Sequence, residues 1–378
     1  MTPDKFLKFG LSQEEAEKLS NDNNKNIFKL AELVLNIAAL ITVEDEENLI
    51  DRDGNTQNYF ISQYTSAATA RNILFNKTCI RLNVASQMND SAEGKILFSY
   101  CNLIEEKSTK LAFIRSFSFK NDDLNQFRLY AKDKGEEATG VGLVFNRNLF
   151  NPSSTLPSEK MKINTEELAV DKNNAIDMPL MRCIYFDKEK EAVISLGMVD
   201  KHSYLKYYKK YCGLKEEHKK EFTQIYQAYR TLIEEKAQIV EDTLIEINRI
   251  TQKLHEDEER KTANIILKYI AYYIKDSSFS NEEECRLVKI LDINKDKDKD
   301  KDKDKDKINP KIDNEELLNY EDKLPFLYIE VSEHQAIKDN LKYIHLSPKF
   351  NNSYELKDYL IHHDYNNVII KTNKSTFY

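Results

Sequence analysis

The run Glu282-Glu283-Glu284-Cys285-Arg286-Leu287-Val288 carries an acidic stretch straight into apolar residues, and its pattern decides the fold. In an extended chain successive side chains point to opposite sides, so Glu284 and Arg286 share one face while Cys285 and Leu287 share the other. A strand of this kind needs a sheet to lie in, and it carries charge to the edge of the core. A surface acidic cluster with Arg286 as partner is the plainer alternative.

Working outward, strands are expected over 60–64, 79–84, 112–119, 140–146 and 182–186, each rich in β-branched, aromatic or apolar residues. Helices are expected over 67–76 and 92–103. Beyond the opening run, strands are expected over 286–293, 326–331, 341–346 and 367–371, with a helix over 354–362. This mixture predicts an α+β fold. Strict βαβ repetition is missing, and the 8 Gly residues form no Gly-rich loop between a strand and a helix, which argues against a Rossmann domain or a P-loop.

Helical patterns flank and interrupt the strands. Ser12 and Glu15 form a capping box, and Ile27, Leu30, Leu33, Val34 and Ile37 recur at helical spacing, so 1–45 reads as two amphipathic helices. The polar stretch 44–58 reads as a connector. Residues 1–55 therefore form an N-terminal helical segment and 56–378 an α+β core domain. Within the core, 201–275 is a helical insertion, with Phe222, Ile225, Tyr229, Leu232, Val240, Ile247, Ile250 and Leu254 at helical intervals. It reads as a packed helical pair, with a coiled coil that joins two copies of the chain as the alternative. The Lys-Asp repeat inside 294–310 has no apolar residue across 295–307, so nothing drives it to fold, and it reads as a disordered, solvated loop.

Composition bounds the function. The 378 residues are 40% hydrophobic and 32% charged, enough apolar surface for a sizeable core. A formal charge of -8 disfavours non-specific nucleic-acid binding. Cys79, Cys101, Cys183, Cys212 and Cys285 have no metal-ligand spacing and read as reduced thiols. There is no signal-peptide pattern, and the apolar segment 27–43 is interrupted by Lys29, Glu32 and Asn36. A cytoplasmic protein without a membrane span is expected. No metal site is expected either: there is no HExxH, and His362 and His363 are adjacent. No GxSxG elbow supports hydrolase chemistry.

Three blocks place polar residues at strand ends. Gln63-Tyr64-Thr65-Ser66 lies at a strand-to-helix junction, where Thr65 or Ser66 reads equally as a helix cap. Ser116-Phe117-Ser118 precedes Phe127-Arg128-Leu129-Tyr130, and its alternation is also ordinary strand amphipathicity. The third block is the opening run itself.

Taken in order, these blocks resemble the bacterial domain-of-unknown-function 2971 family. The resemblance rests on Tyr64-Thr65-Ser66, Asn89-Asp90 with Glu93, Ser116-Phe117-Ser118 with Arg128-Leu129-Tyr130, Lys275 with Phe279, Glu284-Cys285-Arg286-Leu287, and Ser375 with Tyr378. It spans roughly 59–378. Gln63, Phe127, Ala131 and Cys285 depart from the family pattern, which tends to have His or Arg, Trp, Gly and an aromatic there. The order of a polar-Tyr-Thr block, a Ser-x-Ser strand and a late strand Glu also resembles the three-part site of ADP-ribosyltransferases. That resemblance implies a mixed-sheet core of their kind, NAD as substrate, and transfer of ADP-ribose to a macromolecular target by a bacterial effector or defence protein. Glu284 would be the catalytic carboxylate. Gln63 would contact the adenosine side beside Thr65, Tyr64 or Tyr130 would pack on a ring, Ser116 or Ser118 would orient Glu284, and Arg128 would hold pyrophosphate. Asn89, Asp90 and Glu93 would line the pocket, although an Asn-Asp pair before a helix is also an ordinary turn and cap.

Two rivals come from other classes. One is a non-catalytic module that binds a nucleotide and captures a protein partner through its helices. The other is a metal-dependent nuclease built on Asp90, Glu93 and Lys95, opposed by the acidic net charge and by the helical reading of 93–95.

Overall fold

The computed structural model describes residues 16–17, 24–43, 49–50, 56–57, 60–76, 78, 80–87, 92–104, 110–133, 135–146, 149, 179–205, 219–292, 311–312, 327–330, 334–350 and 353–373. Helix α1 (Lys25–Ile41) begins where Asn24 accepts hydrogen bonds from the N–H groups of Asn26 and Ile27. It buries the predicted stripe of Ile27, Leu30, Leu33, Val34 and Ile37. The helix expected before it lies outside the described residues, apart from 16–17. The ribbon of β1 (Leu49–Ile50) and β2 (Thr56–Gln57) falls within the expected connector. Then follow β3 (Phe60–Thr65), α2 (Ala67–Leu74), β4 (Arg81–Val84), α3 (Ile96–Tyr100), β5 (Lys110–Ser118), α4 (Leu124–Tyr130), β6 (Val141–Asn146), β7 (Met181–Arg182), β8 (Ile184–Asp187) and β9 (Ala192–Leu196). The rest comprises α5 (Lys219–Thr251), α6 (Asp257–Ala271), β10 (Ile274–Asp276), β11 (Glu284–Asp292), β12 (Lys311–Ile312), β13 (Leu327–Glu330), α7 (His334–Asn340), β14 (Leu341–Leu346), α8 (Ser353–His362) and β15 (Ile369–Thr372).

The fold is mixed α+β. Its ten-stranded sheet centres on β5. β11 runs antiparallel along one edge of β5, while β4 pairs with Phe113 and Ile114 and β3 with Ser118 along the other. From β3 the sheet continues through β6 and β14 to β15, and only the last of these pairings is parallel. A second sheet orders β10, β8 and β9.

Three expectations change on folding. The strand expected over 182–186 splits at Cys183, whose N–H donates to the Glu284 carbonyl at 2.9 Å and whose carbonyl accepts from Gly197 N–H at 2.8 Å. β7 therefore joins the large sheet and β8 the small one. The helical insertion expected over 201–275 ends in a strand, because the Ile184 N–H donates to the Tyr273 carbonyl and sets β10 beside β8. The helix expected over 92–103 starts late: 92–95 is a turn, with Gly94 at φ +75, and α3 covers Ile96–Tyr100.

Helix α1 packs on α5 and α6, and α5 also packs on β9. Phe222, Tyr229, Val240, Ile247, Ile250 and Leu254 are buried in the same core as the sheet residues Phe113, Phe117 and Leu287. Most of the stripe that predicted a helical pair or a coiled coil thus faces this chain's own interior; Ile225 is half-buried and Leu232 is exposed. The Lys-Asp tract lies outside the described residues. Among the described residues no helix is long and apolar enough to cross a membrane.

Candidate functional site

Strand register assembles the site. β11 sets Glu284 opposite Ser118 and Arg286 opposite Ser116, and β3 sets Ser62 opposite Ser118. Paired residues share a face, so Ser62, Ser116, Ser118, Glu284, Arg286 and, two further along β3, Tyr64 all lie on one side of the sheet. Gln63 and Thr65 are one residue out of step and face the other side, where Gln63 pairs with Leu143. This corrects the expectation that Gln63 and Thr65 contribute to the same pocket as Glu284. The cap of α2 is Ser66, whose Oγ accepts from the Thr69 N–H at 3.1 Å.

At the centre is a buried cluster of five charged side chains. Lys275 on β10 donates from Nζ to Glu282 Oε2 at 2.5 Å and to Glu284 Oε2 at 2.7 Å. Arg286 donates from Nε to Glu284 Oε1 at 2.7 Å, from one terminal nitrogen to Glu93 Oε1 at 2.6 Å and from the other to the Tyr272 carbonyl at 2.7 Å. The ring of Tyr272 roofs this face: the Cβ of any larger residue at 94 would meet it at 2.5 Å. Tyr185 Oη accepts from the Glu284 N–H at 2.7 Å. Ion pairs this dry are strongly coupled, and each partner prevents a large desolvation cost for the others.

In this cluster carboxylates outnumber cations by one. Three carboxylates, Glu93, Glu282 and Glu284, face two cations. Burial pushes the Glu284 carboxyl up, but Arg286 and Lys275 outweigh it and hold the group well below the usual carboxylate range. For Glu93 burial wins over Arg286, and its pKa is raised. Its Oε2 is buried with no hydrogen-bond partner.

One arm reaches the surface. Tyr130 ends α4 with 42% of its area exposed, and its hydroxyl donates to Glu282 Oε1 at 2.5 Å. A hydrogen-bonded line thus runs from solvent through Tyr130, Glu282 and Lys275 to Glu284. Beside it the turn after β5 is tied to β3: Tyr64 Oη donates to the Lys120 carbonyl and accepts from the Asp123 N–H, and Ser62 Oγ bonds Asn121 Oδ1. Buried His345 on β14 brings Nδ1 to 3.4 Å from Asp122 Oδ1.

The remaining expected site residues take different roles. Ser118 does not touch the Glu284 carboxylate; its Oγ donates to the Glu282 carbonyl at 2.7 Å and so fixes the start of β11. Ser116 Oγ is buried without a hydrogen-bond partner. Arg128 lies half-exposed on α4 and pairs with Glu137 at 3.1 Å, on the surface and not with the cluster. The Tyr64 ring is buried edge-on against Phe127 at 5.0 Å, which leaves it no open face for a nicotinamide. Asn89, Asp90, Ser375 and Tyr378 lie outside the described residues. Glu282, Tyr185 and His345 escaped the sequence reading. Only Glu282 had a signal, as the first acid of the opening run.

No family model matches the chain, and neither a curated protein nor a solved structure matches it.

Proposed function

We propose that the chain is an ADP-ribosyltransferase of a bacterial effector or defence system that takes ADP-ribose from NAD to a macromolecular acceptor, with Glu284 as the carboxylate beside the ribose. The observation that carries this is the joining of Glu284 to Ser118, Ser62 and Tyr64 on one sheet face, across more than two hundred positions of chain. It agrees with the resemblance to the domain-of-unknown-function 2971 family and to the three-part transferase site. Breaking the nicotinamide-ribose bond develops positive charge on the sugar, and an anion held ionised nearby stabilises that state. At about 4 Å and an effective dielectric near 20 the attraction is about 4 kcal/mol, roughly three powers of ten in rate. Access to Glu284 would run past Tyr130, whose bond to Glu282 closes the exposed end.

The test is nicotinamide release and labelled ADP-ribose incorporation by the wild type and Glu284→Gln, with folding of both checked by circular dichroism. A loss of about a thousandfold is expected from the attraction just given. Equal rates in the two proteins would remove Glu284 from the mechanism.

A second reading, the non-catalytic nucleotide-binding and interaction module, is favoured by one observation: Arg286 and Lys275 occupy both oxygens of Glu284. In that case the cluster fastens β11 to β10, and NAD would bind without turnover. Because 201–275 contributes Lys275 and much of the core, partner capture is better probed by Leu232→Glu and Ile239→Glu on the exposed side of α5 than by deletion. The nuclease reading loses Glu93 to its pairing with Arg286.

A further inference from the structure

Glu283, between the two acids of the cluster, turns the other way. Its backbone is left-handed, at φ +46, and its Oε2 accepts from the Met198 N–H at 2.8 Å. There it borders a cavity of about 430 Å³ between β9 and α5, within the range of small-ligand sites. Val193, Leu196, Met198 and Ile233 supply an apolar wall, and Tyr226 an aromatic one.

The lining is net acidic: Asp200, Glu234, Glu241 and Glu283 against Lys201 and Arg230. Besides Glu283, two of these acids have partners. Glu234 pairs with Arg230 at 2.7 Å, and Asp200 receives the N–H groups of His202 and Ser203 and the hydroxyl of Ser203. With Glu234 set against Arg230, Asp200, Glu241 and Glu283 face Lys201 alone, a formal excess of two negative charges. Among the described residues no three acidic, His or Cys side chains converge closely enough to hold a metal ion. Excess negative charge repels anions, and apolar and aromatic walls suit an organic body more than a hydrated inorganic ion.

We propose that this cavity binds an organic monocation, an amine or guanidine carried on an aliphatic or aromatic body, with Glu283 as its counter-charge. A free small molecule and the basic side chain of a polypeptide share that chemistry. The site is independent of the ADP-ribosyl reading.

The experiment is calorimetric titration of the full chain at pH 8 with butylguanidinium, its neutral analogue butylurea, and an acetylated, amidated arginine peptide. Butylguanidinium is expected to bind at least tenfold more tightly than butylurea. That preference is expected to fall about tenfold in Glu283→Gln, which keeps an acceptor for Met198. Gln238→Lys, an exposed substitution at the cavity, is expected to weaken binding in the same direction and serves if Glu283→Gln does not fold. A tighter peptide identifies a polypeptide side chain as the source, and a tighter free guanidine a small molecule. Equal binding of butylguanidinium and butylurea, or a preference unchanged in both variants, overturns the proposal.

Discussion

Glu283 and Glu284 are neighbours in the chain and live in opposite electrostatic surroundings. Glu284 enters a dry pocket where two cations meet it within 2.7 Å, and it stays ionised. Glu283 faces a cavity of mostly like charge, and burial, only partly relieved by the Met198 N–H, pushes its pKa up to about 7. Burial acts on both, so the difference lies in the partners: a buried carboxylate remains charged when cations replace its water and takes up a proton when they do not. One left-handed residue, at φ +46, turns consecutive side chains into these two regions.

The sharpest way to break the comparison is to remove a cation from the first region. Arg286→Met strands Glu284 and Glu93 in the interior and is expected to cost about 3–5 kcal/mol in urea denaturation at pH 7.5. Glu283→Gln, which removes a charge whose burial outweighs the attraction of Lys120 and Arg182, is expected to leave stability unchanged or raised at that pH. Similar losses in the two variants would erase the distinction.

The pH dependence is the next largest effect. Folded Glu283 keeps its proton up to about pH 7, whereas unfolded glutamate releases it near the ordinary value of 4.5. Between these limits the folded state binds more protons, so this group's contribution falls as pH rises through the window and is flat above it. The fall is at most about 3 kcal/mol. Glu284 acts with the opposite sign: its contribution is present above the unfolded value and is lost as pH drops toward its depressed folded value. Melting temperatures from pH 5 to 8 are expected to show a decline in the wild type that Glu283→Gln makes shallower, with Glu93 and its raised pKa adding to the decline that remains; an unchanged slope would show that Glu283 is not a source of it.

The smallest effect concerns the surface arm of the cluster. Tyr130→Phe deletes one bond to Glu282 at a half-exposed position and is expected to lower stability by about 1 kcal/mol. If Tyr130 closes the way to Glu284, the same substitution raises the rate of nicotinamide release, measurable in the assay above. An unchanged rate would argue against such a closure.

Much of the sheet was legible because its strands carry their own pattern. β3, β5, β6, β11 and β14 fall where β-branched and alternating residues predicted them, and the stripe of α1 and most of that of α5 are buried as their periodicity requires. Cys183 was not legible as a break, since 180–186 reads as one continuous run of strand-forming and apolar residues interrupted by Arg182 alone, and only the hydrogen bonds with Glu284 and Gly197 separate β7 from β8. The candidate site divides in the same way. The opening run announced Glu284 and Arg286, while Gln63 and Thr65 were grouped with Tyr64 because sequence adjacency hides which face each occupies once β3 pairs with β6.

By itself, the sequence determined an α+β chain with helical regions within 1–45 and 201–275 and a late strand that brings an acid and an arginine inward. Tertiary structure alone decided that Lys275 would meet that acid, that Glu93 would share its arginine, and that Glu283 would face a cavity. The reason is physical: periodicity is a local property written every two to four residues. Pairing of charges across the fold depends on strand register and chain crossings, and no local spacing records those.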